Sequence, residues 1–189
     1  MMQVTDKFII TPKGGNNFVN EKTIGGHSLI VNTSIEEAKH VNRVGIVLAL
    51  PLTYSGNIKV NDEVIVQHNV FRDWFDTKGI TRKSDCHLKD NLYSVDEELI
   101  FLIVRNGEYI SVDAFCFIKP IFEEERWVGM VEQKHIGTVK FSNKILEKQG
   151  VFVGDTIAFY MDCEYVFEIE NEMLYRMRTE RILAKIPAQ

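Results

Sequence analysis

The sequence predicts an all-β protein built from two tandem small β-barrels. Three observations support this prediction. The 189 residues suffice for two domains of about 100 residues each. Short apolar segments bounded by Gly, Asn and Asp recur along the chain, as expected for strands separated by tight turns. Four such segments also recur in the same order in both halves, so we predict one domain at 1–110 and a second, shorter one at 111–189.

A turn followed by a strand is the clearest repeated segment. "IKVNDEVIVQHN" (58–69) and "VFVGDTIAFYMD" (151–162) share an apolar residue, a valine, an Asn-Asp or Gly-Asp pair and then alternating apolar positions. The Asn-Asp and Gly-Asp pairs predict tight turns. The alternation predicts a half-buried strand after each turn. The two copies lie 93 residues apart.

Three further segments recur in both halves. They are "DKFII" (6–10) with "DAFCF" (113–117), "VGIVLAL" (44–50) with "IGTVKF" (136–141), and "NLYSVDEELIFLIV" (91–104) with "EMLYRMRTERILAKI" (172–186). Their offsets are 107, 92 and 82 residues. The first copy therefore carries extra residues in two places: a long loop at 13–43 and an insertion at 70–91.

Composition restricts the possible functions. The net charge is −5, and no run of Lys and Arg forms a basic stripe, so we expect no nucleic-acid partner. No apolar stretch reaches the ~18 residues of a membrane span. The start lacks the pattern of a signal peptide. Three scattered cysteines form no disulfide framework, which favours a reducing, cytoplasmic compartment.

Catalytic motifs are absent from the sequence. It contains no phosphate-binding loop of the G-x-x-x-x-G-K-[ST] type. Cys86 and His87 are adjacent, so in a strand their side chains point apart and form neither a dyad nor a metal clip. We predict that the protein is not an enzyme and that it has no cofactor and no metal site.

The ordered segments resemble a tandem pair of GroES-type co-chaperonin domains. The similarity is carried by "DKFIITPK", "RVGIVLAL" and "IKVNDEVIV" in the first copy, and by "DAFCFIKP", "IGTVKF", "VFVGDTIAF" and "TERILAKI" in the second. The resemblance implies two GroES-like β-barrels. The tandem form is similar to plastid double-domain co-chaperonins, and the insertion at 70–91 is similar to GroES-like proteins encoded by tailed phages.

The same resemblance implies a partner-binding site in the loop at 13–43. In the family this loop is mobile and ends in a Gly-Gly-apolar hook that docks into a groove of the chaperonin. The matching residues here are Gly25, Gly26, Leu29, Ile30 and Val31. Two residues stand between the glycines and the apolar triplet, which the usual pattern lacks. The alternative is an ordinary strand packed on its own barrel.

Aromatic residues provide a second candidate surface. The insertion concentrates Phe71, Trp74 and Phe75, and the second copy has Trp127 within "IFEEERWVGMVEQKH" (121–135). Aromatic side chains are enriched at the centres of protein interfaces. We predict that they contact neighbouring subunits of a homo-oligomer. Packing within their own domain is the alternative.

Two functions follow from this reading of the sequence. The first is a co-chaperonin-like protein that binds a GroEL-type chaperonin through the apolar loop and assists folding without catalysis. The second is a structural or assembly component of a larger particle, such as a phage virion, that reuses the fold for docking.

Overall fold

The computed structural model describes residues 6–18, 21–24, 27–30, 41–112, 114–125, 129–169 and 172–187. The chain divides into two compact units, Met1–Gly107 and Glu108–Gln189, called here the first and second units. Strands dominate both units, and the described residues contain one α-helix besides short 3-10 turns. The prediction of an all-β protein is confirmed.

Ten strands lie among the described residues of the first unit. They are β1 (Phe8–Pro12), β2 (Glu21–Ile24), β3 (His27–Ile30), β4 (Val44–Ala49), β5 (Glu63–Val66), β6 (Trp74–Phe75), β7 (Thr81–Arg82), β8 (His87–Lys89), β9 (Leu92–Val95) and β10 (Ile100–Arg105). Six of them form an antiparallel sheet in the order β10-β5-β4-β1-β9-β8. The pairs β2-β3 and β6-β7 form separate two-stranded hairpins.

The second unit repeats this sheet. Its elements are β11 (Glu108–Ser111), β12 (Phe115–Glu125), β13 (Gly129–Phe141), helix α1 (Lys144–Lys148), β14 (Thr156–Phe159), β15 (Tyr165–Ile169), β16 (Glu172–Arg178) and β17 (Ile182–Ile186). Six strands form an antiparallel sheet in the order β17-β14-β13-β12-β16-β15. Position by position, this is the order found in the first unit.

Neither sheet closes into a barrel within the described residues. Closure requires hydrogen bonds between the two outer strands of a sheet. In the described part of the chain, β8 pairs only with β9, and β15 pairs only with β16. The barrels predicted from the sequence are therefore open antiparallel sheets here.

The pairing register is also repeated. Pro12 lies opposite Gly45 in the β1–β4 pair, and Pro120 lies opposite Gly137 in the β12–β13 pair. Both pairs contain a register irregularity shortly before the proline. A one-residue slip would turn every side chain to the other face of the sheet, so equal registers mean that equivalent positions face the same way.

These registers test the predicted offsets. The offsets of 92, 93 and 82 residues are confirmed. Residues separated by these offsets occupy the same register positions in the two sheets, with β4, β5, β9 and β10 corresponding to β13, β14, β16 and β17. The offset of 107 for the first strand is wrong by one residue. Ile10 corresponds to Ile118, since each faces the equivalent valine, Val47 or Val139.

The turn that precedes β5 in the first unit and β14 in the second is built in the same way in both units. In the first, Asp62 Oδ2 accepts the Lys59 amide at 2.7 Å. In the second, Asp155 Oδ2 accepts the Phe152 amide at 2.8 Å. The preceding residue has a positive φ in each turn, 69° at Asn61 and 91° in the second unit, where a glycine stands. Asn and Gly tolerate this left-handed conformation best.

A cation from β10 in the first unit, and from β17 in the second, binds each turn aspartate. Arg105 Nε and Nη2 donate to the two carboxylate oxygens of Asp62 at 3.0 and 2.6 Å. Lys185 Nζ lies 2.7 Å from Asp155 Oδ2. Lys185 and the Phe152 amide hold the pKa of Asp155 below its ordinary value of 3.8. The lowered pKa means that this stabilisation is present above the ordinary value and is lost as pH falls through the folded-state pKa.

Each unit has its own apolar core beneath these turns. Phe8, Ile10, Phe71 and Phe101 are among the fully buried side chains of the first unit. The second unit buries a corresponding cluster on its own sheet: Cys116, Ile118, Val139, Leu146, Val151, Ile157, Phe159, Tyr175 and Met177. Burial of this apolar area is the main source of stability in each unit.

The two aspartates make a paired test of the turn. We expect Asp62→Asn to lower the unfolding free energy of the first unit by about 1–3 kcal/mol, because it removes the charge from a buried partner of Arg105. The side chain of Asp62 is only 8 % exposed. Asp155→Asn, at a more exposed turn, should have a smaller effect on the second unit. Urea unfolding measures the loss of unfolding free energy in each variant, and amide hydrogen exchange shows which unit is affected. Equal losses would contradict this interpretation.

Candidate partner-binding arm

The segment between β1 and β4 leaves the sheet of the first unit and returns to it at one point. After Pro12 a 3-10 turn, Lys13–Gly15, carries the chain away from the strand. Phe18 then forms an isolated bridge with Val41. The Asn42 amide donates to the Asn17 carbonyl oxygen at 2.9 Å. These contacts join the outgoing and returning ends of the segment next to the sheet.

The side chain of Asn42 fixes this closing point. It is buried, and its Nδ2 donates to the carbonyl oxygens of Lys13 at 3.1 Å and Asn16 at 2.8 Å. Its Oδ1 accepts the amide of Val44, the first residue of β4, at 2.9 Å. One amide group therefore ties the outgoing chain to the returning strand. Sequence analysis did not single out Asn42, because "HVNRVG" reads as one more polar stretch before a strand.

Beyond the closing point lies the β2–β3 hairpin, called here the arm. Lys22 faces Leu29 and Glu21 faces Ile30 in its antiparallel register. Within the described residues β2 and β3 pair with each other and with no strand of the six-stranded sheet. The backbone of Leu29 and Ile30 is thus a strand, as their apolar character predicts, but that strand belongs to the arm.

Three of the predicted site residues lie outside the described residues. Gly25 and Gly26 separate β2 from β3 in the sequence, and Val31 follows β3 directly. Trp127, predicted as an interface residue, also lies outside them. These four assignments remain predictions from the sequence.

The second unit extends its equivalent connection as a continuous hairpin, called here the second-unit hairpin. Past Pro120 and Gly137, β12 and β13 stay paired from Phe122–Glu132 to Glu125–Gly129. Its exposed side chains include Phe122, Met130, Glu123 and Glu124, and Met130 is 66 % exposed. The sequence predicts a partner-binding loop in the first copy only. An apolar surface on this second hairpin was missed because its apolar residues stand singly within an acidic segment.

Hydrogen bonds brace the base of the second-unit hairpin against β16. The Tyr175 hydroxyl donates to Glu132 Oε1 at 2.7 Å. Burial and this carboxylate raise the pKa of Tyr175 to about 12. Glu172 lies between two lysines, 2.8 Å from Lys119 Nζ and 2.5 Å from Lys140 Nζ. The hydrogen bonds from these lysines lower the pKa of Glu172.

The structure separates the three aromatic residues predicted at the insertion. Phe71 is fully buried, and its ring meets Tyr93 edge-on with centroids 4.8 Å apart. Phe71 therefore packs within its own unit, the alternative left open for this group. Trp74 and Phe75 lie on β6 and are exposed by 43 % and 46 %. An interface role at the insertion thus rests on Trp74 and Phe75.

A third aspartate, Asp76, holds the tip of the β6–β7 hairpin. Asp76 Oδ1 accepts the amides of Lys78 and Ile80, both at 2.9 Å, and its Oδ2 accepts Arg82 Nε at 3.0 Å. The amide of Ile80 contributes most to holding the pKa of Asp76 below its ordinary value. An open cleft of about 480 Å³ lies beside this hairpin, lined in part by Trp74. The insertion thus contains a hairpin whose tip is held by one aspartate.

The histidine, cysteine and carboxylate side chains are the candidate metal ligands among the described residues. No group of three or more His, Cys, Asp and Glu side chains is placed there to hold a metal ion. All three cysteines are free, and burial raises the pKa of the Cys116 thiol to about 12. Thiolate is the reactive form of cysteine, so burial disfavours the reactive form of this thiol. No described helix is long and apolar enough to cross a membrane.

No protein-family model matches the sequence, and no curated protein matches it significantly.

Removal of the Asn42 side-chain amide tests the closing point of the arm. We expect Asn42→Ala to cost about 1–3 kcal/mol of unfolding free energy, because the Lys13 and Asn16 carbonyl oxygens and the Val44 amide all lose the hydrogen bonds made by one buried side chain. The Val44 amide should also exchange its hydrogen faster. Asn143→Ala is the matched control, since Asn143 is equally buried, lies in the second unit and caps α1. Unchanged exchange at Val44 in Asn42→Ala would contradict the assigned role.

Proposed function

We infer that the chain is a co-chaperonin-like binding protein that engages a GroEL-type chaperonin through the arm and assists folding without catalysis. The observation that carries this proposal is the arm itself: a hairpin set outside a duplicated sheet and held at its base by Asn42. The sequence of this hairpin provides the Gly-Gly and apolar residues that the proposed docking uses.

The proposal includes the finer assignment of the two units as tandem GroES-like domains. It is supported by the order of the four repeated segments and by the equal strand order and register of the two units. A duplicated sheet provides two similar frameworks on one chain. In this proposal only the first carries the chaperonin-binding hook.

Docking through the arm is expected to be weak for a single chain. Each of Leu29, Ile30 and Val31 would contribute about 1.5–3 kcal/mol on full burial, before the cost of ordering the loop is subtracted. A homo-oligomer would present several arms to a ring of sites and bind by avidity. We therefore propose a homo-oligomer with a chaperonin ring as its partner, in the cytoplasm.

The alternative is a structural or assembly component of a larger particle, such as a phage virion. A specific observation favours it: apolar side chains outside the arm are exposed, on β6 at Trp74 and Phe75 and on the second-unit hairpin at Phe122 and Met130. Docking through the arm alone does not use these surfaces. Mass spectrometry of purified particles would detect the chain under this alternative.

The decisive experiment replaces Leu29, Ile30 and Val31 together with serine. We expect loss of binding to a purified GroEL-type chaperonin, about tenfold or more in dissociation constant, because the docking contacts are lost. Analytical size-exclusion chromatography with and without ATP measures the complex. The matched control is Phe122→Ser with Met130→Ser, which removes exposed apolar side chains from the equivalent hairpin and should leave binding unchanged.

Two results would reject the proposal. One is a wild-type protein that forms no complex with the chaperonin under either nucleotide condition. The other is a triple-serine variant that remains soluble and binds as tightly as wild type. Circular dichroism of each variant shows whether the sheets are intact, so loss of the fold is distinguished from loss of docking.

A further inference from the structure

An open cleft in the second unit carries three arginines. Its volume is about 290 Å³, and Arg176, Arg178 and Arg181 line it together with Phe115 and Asp162. We call it the arginine cleft. Arg176 and Arg178 come from β16, and Arg181 comes from the 3-10 turn that follows it. Three arginines and one aspartate give the titratable side chains named here a formal charge of +2.

The first unit has an equivalent cleft of about 310 Å³. The repeated register places Ser94 where Arg176 stands and Asp96 where Arg178 stands. A backbone hydrogen bond confirms the match at the third position. Gln67 N donates to Leu99 O at 2.9 Å in the first unit, and Tyr160 N donates to Arg181 O at 3.0 Å in the second.

This pair of clefts shows that the fold does not require the arginines. The cleft of the first unit is built at the same three positions from serine, aspartate and leucine. Its charged lining is Lys7, Asp85 and Asp96, which sums to −1. Lys7 Nζ and Asp96 Oδ2 form an ion pair at 3.1 Å there. The second unit has Phe115 and Arg178 at the corresponding positions. Equal architecture with opposite charge points to a ligand that differs between the two clefts.

Phe115 orients the arginines for anion binding. The guanidinium carbon of Arg176 lies 3.6 Å from the centre of the Phe115 ring, and that of Arg178 lies 5.6 Å from it. Stacking on an aromatic face restricts the orientation of a guanidinium group without neutralising its charge. Guanidinium groups bind carboxylates through paired, charge-assisted hydrogen bonds. The cleft therefore suits a carboxylate-bearing segment.

The chain itself supplies such a segment at the other end of β12. Glu123 and Glu124 are exposed on the second-unit hairpin, next to the exposed Phe122. Glu123 lies eight residues along the strand from Phe115. At about 3.3 Å per residue this is about 26 Å. Glu123 and Glu124, called here the acidic tip, therefore cannot reach the cleft of their own unit. The charge of this tip complements the arginine cleft of another copy.

We propose that Glu123 and Glu124 of one chain dock into the arginine cleft of a second copy. The contact is heterologous: different surfaces of the same protein meet head to tail. It uses no residue of the arm and goes beyond the proposed function, so either can fail alone. Because the complementary surfaces are exposed and charged, the association weakens as salt screens them.

Charge reversal tests the contact. We expect Arg178→Glu with Arg181→Glu to weaken self-association, raising its dissociation constant by about tenfold or more in sedimentation velocity at low salt. Glu123→Lys with Glu124→Lys should have the same effect. Lys144→Glu with Lys148→Glu is the matched control, because it reverses two exposed cations on α1 and changes net charge equally. It should leave self-association near the wild-type value.

An equimolar mixture of the two reversed proteins makes the test independent of folding defects. The lysine tip of one protein should then dock into the glutamate cleft of the other, and the unchanged tip and cleft should also pair, so association returns. A mixture no stronger than either variant alone would overturn the proposal. A wild-type chain that stays monomeric at low salt would also overturn the proposal. This holds even if inorganic phosphate protects the cleft arginines from chemical modification, because the cleft would then bind an anion other than a second copy.

Discussion

The close approach of the first two sheet strands in each unit is the constraint on which the remaining structure depends. At Gly137 a side chain would clash with Ile118 Cγ2, and its Cβ would lie 2.9 Å from the Lys119 carbonyl oxygen. At Gly45 the Cβ would lie 3.1 Å from Phe71 Cζ. These glycines allow the strands to pack tightly opposite Pro12 and Pro120, and the register set there is carried into every neighbouring strand. Both connecting hairpins begin just beyond these positions.

The two units share their strand order and register and differ in the side chains placed on them. The turn aspartate, its backbone hydrogen bond and its cation are present in both, although Arg105 and Lys185 hold it with different geometry. The connections beyond the Pro–Gly pair have diverged furthest. One became a separate arm closed by Asn42, and the other became a continuous acidic hairpin. Each unit therefore serves as a reference for the other, because a residue present in only one copy is not required by the common sheet.

Local signals predicted much of this fold from the sequence. The Asn-Asp and Gly-Asp turns, the alternating strands and three of the four repeat offsets depend on neighbouring residues, which the sequence displays directly. The first offset was one residue short, since matching Asp6 with Asp113 ignored the prolines that share a position in the sheet. Asn42, the open sheets and the arginine cleft could not be predicted, because each depends on residues brought together only by the fold. The roles of Gly25, Gly26 and Val31 rest on the sequence alone.

The closed base of the arm has a consequence for how this protein changes over evolution. Because Asn42 joins the outgoing and returning chain next to the sheet, residues added beyond it do not alter the register of β1 and β4. The entropic cost of a longer flexible loop rises slowly, by about 0.6 kcal/mol for each doubling of its length. Substitutions and insertions in the arm can therefore accumulate with little effect on the sheet. One amide side chain thus separates the residues that set the register of the sheet from those that can vary without disturbing it.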